Sequence, residues 1–208
     1  MTNFTRTSFL ISYKIAISLL ALSAVINEIA TLVKSGTFVP QNFFSLFTIQ
    51  TNLFAIVMLI VGAYALIRGS KSGVITSLRG AATLYMVITG IIFVLLLSGL
   101  TSGNFVMAPW DDTVMHYVMP VAMIVDWLID APKTKLRKKT VLLWLVYPLL
   151  YVVYTLGRGA VTGWYPYPFL DPTGQGYGPI VMTCVAITVG VVFGGFIIRY
   201  RSTVGTRN

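Results

Sequence analysis

The sequence predicts an all-α polytopic membrane protein: six transmembrane helices in a single domain over 1–208, with the N-terminus and C-terminus cytoplasmic. Three observations carry this. The 208 residues are 56% hydrophobic and only 10% charged, with a mean hydropathy of +0.82, well above a soluble domain of this size. Uncharged apolar runs recur down the whole length, most of them near the roughly 20 residues that cross a hydrocarbon core of about 30 Å. Thirteen of the fifteen Lys and Arg fall on one set of alternating loops. A net charge of +9 would suggest nucleic acid in a soluble chain. Here the cations cluster at the ends of apolar runs, so they set topology, and no nucleic-acid partner is expected.

The first span covers about 12–33. Arg6, Lys14 and the small residues Ala21-Leu22-Ser23-Ala24 imitate a signal peptide with its cleavage site. The apolar run continues past Ala24 to Val33, so an uncleaved span is expected. The second covers 43–67, twenty-five residues without a charge. Its first third is polar: Ser45, Thr48, Gln50, Thr51 and Asn52 crowd into two turns. Lipid offers such groups no partner, so this end must line protein or water. The third span covers 78–100 and the fourth 113–129, where Pro120 should kink the helix one turn after His116. The fifth covers 141–156 and the sixth 180–198.

Charge then orients the bundle. Arg6 and Lys14, the 2–3 loop with Arg68, Lys71 and Arg79, the 4–5 loop with five cations between Lys133 and Lys139, and a tail with Arg199, Arg201 and Arg207 share one side. The other side holds Lys34 and Arg158 with Asp111, Asp112 and Asp171. The positive side is assigned to the cytoplasm. The 5–6 loop, 157–179, has six Gly and four Pro, so neither helix nor strand is expected there. Trp164, Tyr165, Tyr167 and Phe169 alternate with Pro166 and Pro168, which reads as an ordered lid over the outer end. Cys184 is the only cysteine and excludes an internal disulfide. With His116 the only histidine, no metal cluster of Cys and His can form, and no cofactor is called for.

The polar residues inside the spans converge on one layer. Asn27 and Glu28, then Thr48, Gln50 and Asn52, His116, and Tyr154 with Arg158 all fall roughly 5–15 Å below the outer surface by helical rise. Asp126 lies some 15 Å deeper than His116 and off its face. With Asp130 it is expected to pair with Lys133, Lys135 or Arg79. A threonine hydroxyl needs a base to become a nucleophile, and histidine suits that task near neutral pH. Thr48 is therefore a nucleophile candidate and His116 a base candidate. Thr48 equally suits a hydroxyl that bonds back to its own helix, and spacing does not choose between these. Glu28 is a candidate to orient the imidazole or to bind a polar part of the substrate. Gln50, Asn52, Tyr154, Arg158 and Tyr167 are substrate-binding or oxyanion candidates. Phe54, Ile56, Met58, Met119 and Met123, below Thr48, are expected to hold an acyl chain.

Three segments resemble the androgen-induced-gene family of six-helix membrane proteins. Leu46-Phe47-Thr48-Ile49 is similar to the family motif at the start of its second helix. Trp110 followed by Met115-His116 keeps the family spacing before the fourth. Val161-Thr162-Gly163 and Tyr167-Pro168-Phe169-Leu170-Asp171 are the most specific match. Where the family has Asn-His before the Met-His, this chain has Asp112-Thr113, and Gly159-Ala160 replaces histidines. The resemblance implies a threonine hydrolase acting on a lipid ester such as a fatty-acid ester of a hydroxy fatty acid. It singles out Thr48 and His116 as the catalytic pair, and it implies bacterial relatives, hence a bacterial cytoplasmic membrane with the site in the outer leaflet. The alternatives are a transporter that uses Glu28, Arg158 and Asp126 as a pathway and a non-enzymatic lipid-binding protein. The sequence sets no oligomeric state.

Overall fold

The computed structural model describes residues 3–100 and 106–205; Arg207, counted above among the cations, lies outside them. Among the described residues there are six helices long and apolar enough to cross a membrane and no strand. They are α1 (Asn3–Lys34), α2 (Phe47–Ile67), α3 (Gly73–Leu97), α4 (Pro109–Ile129), α5 (Lys138–Thr162) and α6 (Tyr177–Gly205). This is an all-α integral membrane fold.

Sequence chemistry sets the ends. Helix α1 closes on Gly36 (φ +73°), with Thr37 N–H donating to the Leu32 carbonyl at 2.9 Å, and α2 closes in the same way on Gly69 (φ +60°), with Ser70 N–H donating to Ala65 at 2.9 Å. These are αL caps that only glycine adopts without strain. The Ser72 hydroxyl caps α3 by accepting from Ile75 N–H. Pro109 opens α4 where its missing N–H costs nothing.

Several expected boundaries shift. The second span does not begin at Phe43. A one-turn helix, Pro40–Phe43, is followed by a break, and α2 starts at Phe47. Thr48 therefore sits in the first helical turn, where N–H groups lack helical partners, and not several residues below the end. Helix α5 runs on to Thr162, past the expected end at Leu156, because Gly157 and Gly159 stay helical and Gly163 (φ +69°) is the first αL residue. The lid is thus 163–176, with one 3-10 turn at Pro168–Leu170. Just before Pro120, α4 carries a π-turn at Val114–Val118, in which Met119 N–H reaches the Val114 carbonyl. A second π-turn, Phe93–Leu97, ends α3.

Helix α3 is central. It packs on α2, α4 and α6, while α1 packs on α2 and α4. The core holds Ala21, Ala24, Ile49, Ala55, Met86, Met115, Met119 and Met123, small residues admitting close helices and methionines filling what remains. Helices α5 and α6 reach this core through Tyr151 and Ile180 and pack on α3 in a second buried cluster with Val141, Trp144 and Val191. Large apolar side chains such as Val153 (70% exposed) and Phe193 (69%) face outward, as a lipid contact requires.

Far from the lid, four charges meet inside the bundle. Lys14 from α1 and Arg79 from α3 pair with Asp126 and Asp130 of α4. Arg79 was an expected partner. Lys14, counted above with the cations of the positive side, is 0% exposed: α1 starts at Asn3, so Lys14 lies about three turns inside the helix and faces Asp126 and Asp130. Two cations and two carboxylates cancel, which is the condition for burying any of them.

Candidate active site at the lid end of the bundle

Thr48 and His116 meet. Thr48 Oγ1 lies 3.0 Å from His116 Nε2, and both residues are buried. On its other side His116 Nδ1 lies 2.9 Å from Asp112 Oδ1 and 3.2 Å from the Asp112 carbonyl. Asp112 stands one helical turn before His116, so it reaches the ring from the same helix face. A Nδ1–H held by this carboxylate leaves the Nε2 lone pair directed at the Thr48 hydroxyl.

The local fold explains the placement. The π-turn at Val114–Val118 carries His116, and the opposing π-turn at Phe93–Leu97 begins with Phe93, whose ring stacks on the imidazole at 3.9 Å. Gly90 makes this approach feasible. A Cβ there would stand 2.9 Å from Pro120 Cγ and 3.1 Å from the His116 carbonyl. Opposite, the lid delivers Tyr167. Its hydroxyl oxygen accepts the first-turn Thr48 N–H at 3.3 Å and lies 3.4 Å from Thr48 Oγ1. Burial pushes the Tyr167 phenol above its ordinary value, against its hydrogen bonds to Thr48, Phe47 and Tyr151, so it remains a neutral O–H. The lid is fixed against α5: Tyr165 fills the space over Gly159, where a Cβ would lie 2.1 Å from the ring.

The dyad stands in the wall of an apolar cleft with an empty space of about 900 Å³, bounded by α3, α5, α6 and the lid. Thr48, His116, Tyr167, Ile88, Leu149 and Ile187 are among its lining. The residues expected to hold a chain, Phe54, Ile56, Met58, Met119 and Met123, do not line it. The last four are buried core, and Phe54 packs against that core, because they face α1, α3 and α4 and not the gap beside α5.

The other candidates fall as follows. Glu28 accepts from Ala108 N–H at 3.0 Å and does not hold His116; Asp112 does. Gln50 donates to the Phe44 carbonyl and accepts from the Tyr147 hydroxyl at 2.5 Å. Asn52 donates to the Thr48 carbonyl at 2.9 Å, bracing the helix behind the hydroxyl, and its Oδ1 has no hydrogen-bond partner among the described residues. Tyr154 bonds Ser45 at 2.7 Å. Arg158 donates to Asn42 Oδ1 at 2.6 Å and stacks on Trp164 at 4.5 Å. Of the six, only Tyr167 lines the cleft with the dyad. Glu28, Asn42 and Trp164 line a separate polar cavity of about 650 Å³. Sequence reasoning missed Asp112, although the i, i+4 spacing to the only histidine was there to be read.

A buried hydroxyl, an imidazole and a carboxylate in hydrogen-bonded series, beside a phenol and an apolar cleft, can activate an oxygen nucleophile toward an apolar carbonyl compound. A model of the family described as FAR-17a/AIG1-like protein matches residues 95–199, a stretch that carries Asp112, His116 and Tyr167. Comparison with curated proteins and with solved structures finds no match.

Proposed function

The chain belongs to the FAR-17a/AIG1-like family, and on that footing we propose that it is an intramembrane hydrolase that cleaves a lipid ester with Thr48 as nucleophile and His116 as general base. One observation carries this: the 3.0 Å contact between Thr48 Oγ1 and His116 Nε2 at the wall of an apolar cleft. A chance pair of polar side chains would not be expected to open onto a space shaped for hydrocarbon.

The reaction follows from the positions. His116 Nε2 takes the Thr48 proton as Oγ1 attacks the ester carbonyl. Asp112 stabilises the resulting imidazolium through Nδ1–H, at 2.9 Å. The carbonyl oxygen becomes negative, and the Tyr167 O–H is the nearest lid donor to Thr48 Oγ1. The C–O bond then breaks, the alcohol leaves with the proton from His116, and an acyl-threonine remains. Water, deprotonated by the same nitrogen, attacks that acyl group. The free acid is released and Thr48 regains its proton. Fatty-acid esters of hydroxy fatty acids fit this scheme as substrates, since they have an ester flanked by chains on both sides.

The charge asymmetry supports cytoplasmic termini, and on that reading the lid and the dyad belong to the outer leaflet. Transport is less well supported. Asp126 is neutralised inside the four-charge cluster, and Glu28 and Arg158 each hold a protein partner.

The test is hydrolysis of a lipid ester by purified protein in nanodiscs, with Thr48→Ala and His116→Ala beside the wild type. Both variants should lose activity by about 10³-fold or more. A fluorophosphonate probe should add its mass to the peptide that contains Thr48. Either variant hydrolysing at the wild-type rate would sink the mechanism.

A further inference from the structure

Resting on the hydrolase reading, we propose that the cleft between α3, α5 and α6 is a chain-length gauge for one unbranched acyl chain of about ten carbons, which enters sideways from the bilayer between α5 and α6.

The length comes from register. Phe93 is level with His116, because the rings stack. The lining residue farthest from the dyad along α3 is Tyr85, eight residues earlier, about 12 Å by helical rise. Leu145 on α5 and Val191 on α6 are the corresponding far residues of the other two walls. Carbon–carbon bonds of about 1.5 Å in an extended zigzag advance roughly 1.25 Å each, so about ten fit between dyad and floor.

The occupant follows from the lining. Below the dyad every hydroxyl is committed to protein: Thr89 donates to the Tyr85 carbonyl at 2.9 Å, Thr188 to Cys184 at 2.8 Å, and Tyr85 to Trp144 at 2.8 Å. A polar ligand would find no free hydroxyl donor there, whereas a hydrocarbon chain asks for nothing. The side of entry follows from exposure. Tyr85, Ile88 and Val191 are buried, while Leu149 is half exposed and Cys184, Ile187 and Thr188 are only half-buried. The closed wall is α3, and the open side lies between two helices that otherwise face lipid.

The experiment measures kcat/KM of the purified protein in nanodiscs on p-nitrophenyl esters of two to sixteen carbons. Each methylene gains only while apolar wall remains for it, so the value should rise about tenfold or more from butyryl to decanoyl and change by less than about twofold from decanoyl to palmitoyl. Thr188→Trp, which narrows the cleft partway down, should lower the decanoyl-to-butyryl ratio about tenfold. A ratio unmoved by Thr188→Trp, or a steady climb through palmitoyl, overturns the gauge. A second measurement does not need turnover. Decanoic acid with a terminal diazirine, photolysed with the wild type, should label residues 85–88 or 187–191; labelling confined to outward residues such as Phe193 overturns the site. Protein that hydrolyses no ester yet is labelled in the cleft refutes the hydrolase reading and supports the acyl site. Ester hydrolysis without a chain-length break refutes the gauge alone.

Discussion

Phe93 lies flat against His116, with ring centroids 3.9 Å apart and planes 12° from parallel. Each ring sits in a π-turn, and the two turns face each other across the α3–α4 contact. A π-turn widens the helix by one residue and is frequent at functional sites. Here the extra residue rotates each ring out of its helix and toward the other. The imidazole is thereby fixed in plane, and its two nitrogens point at Thr48 and Asp112.

Asp112 should act on turnover more than on binding. Asp112→Asn removes the charge that favours the imidazolium and should lower kcat by about 10²–10⁴-fold while leaving KM within a few-fold. Steady-state kinetics on a soluble ester separates the two. A KM effect with kcat intact would mean that Asp112 binds substrate and does not serve His116.

Gly90→Ala inserts a methyl 2.9 Å from Pro120 Cγ, a contact too close to keep. Helix α3 must shift from α4, which should cost about 1–3 kcal/mol. The shift also separates Phe93 from His116, so activity should fall further than stability suggests. Parallel thermal unfolding and turnover assays would show a folded, slowed enzyme; unchanged activity would mean the stacking is incidental.

The four-charge cluster makes a prediction with its own control. Lys14→Met strands buried carboxylates and should destabilise the protein by about 3–5 kcal/mol. Lys14→Met with Asp126→Leu restores the charge balance and should recover much of that loss. Unfolding in SDS or by steric trapping would report both. Equal loss in the single and double variants would show that packing, and not charge, holds this end.

Tyr167 links stability to alkaline pH. Below the ordinary phenol value of 10.0 the folded and unfolded chains both hold its proton, so its titration changes nothing. Above it the unfolded phenol ionises first. The fold then binds more protons than the unfolded chain, and stability falls as pH rises. Tyr167→Phe should flatten that decline, read as unfolding midpoints between about pH 9 and 11. The same variant should lower kcat by up to about 10²-fold if the phenol meets the oxyanion.

Much of the site was legible before any coordinates. His116 is the only histidine, and Thr48 lies in the one span whose start is polar, so depth alone brought them to one layer. Their distance was not legible, and spacing did not choose Thr48 over Ser45 and Thr51; only the family resemblance did. The structure explains that choice. Ser45 bonds the Gln41 carbonyl and Tyr154, and Thr51 bonds the Phe47 carbonyl and Thr89. Thr48 faces the cleft. Glu28 had the right depth and the wrong side, because depth follows from counting residues along a helix while azimuth depends on how the helices are rotated in the bundle.

The sequence by itself determined the six spans, their approximate lengths and the end of the bundle where polar chemistry gathers. Those follow from the free energy of placing each residue in hydrocarbon, which is nearly local and additive along the chain. Only the tertiary structure decided which side of each helix faces which neighbour. It placed Lys14 inside an ion cluster, gave His116 to Asp112 and not to Glu28, and opened the hydrocarbon cleft against α5 and α6 and not among Ile56, Met58, Met119 and Met123. Rotation and packing of helices in lipid are set by contacts between residues distant in the chain, through the close approach at Gly90 and the paired π-turns. No local pattern encodes those contacts, since each depends on both partners at once.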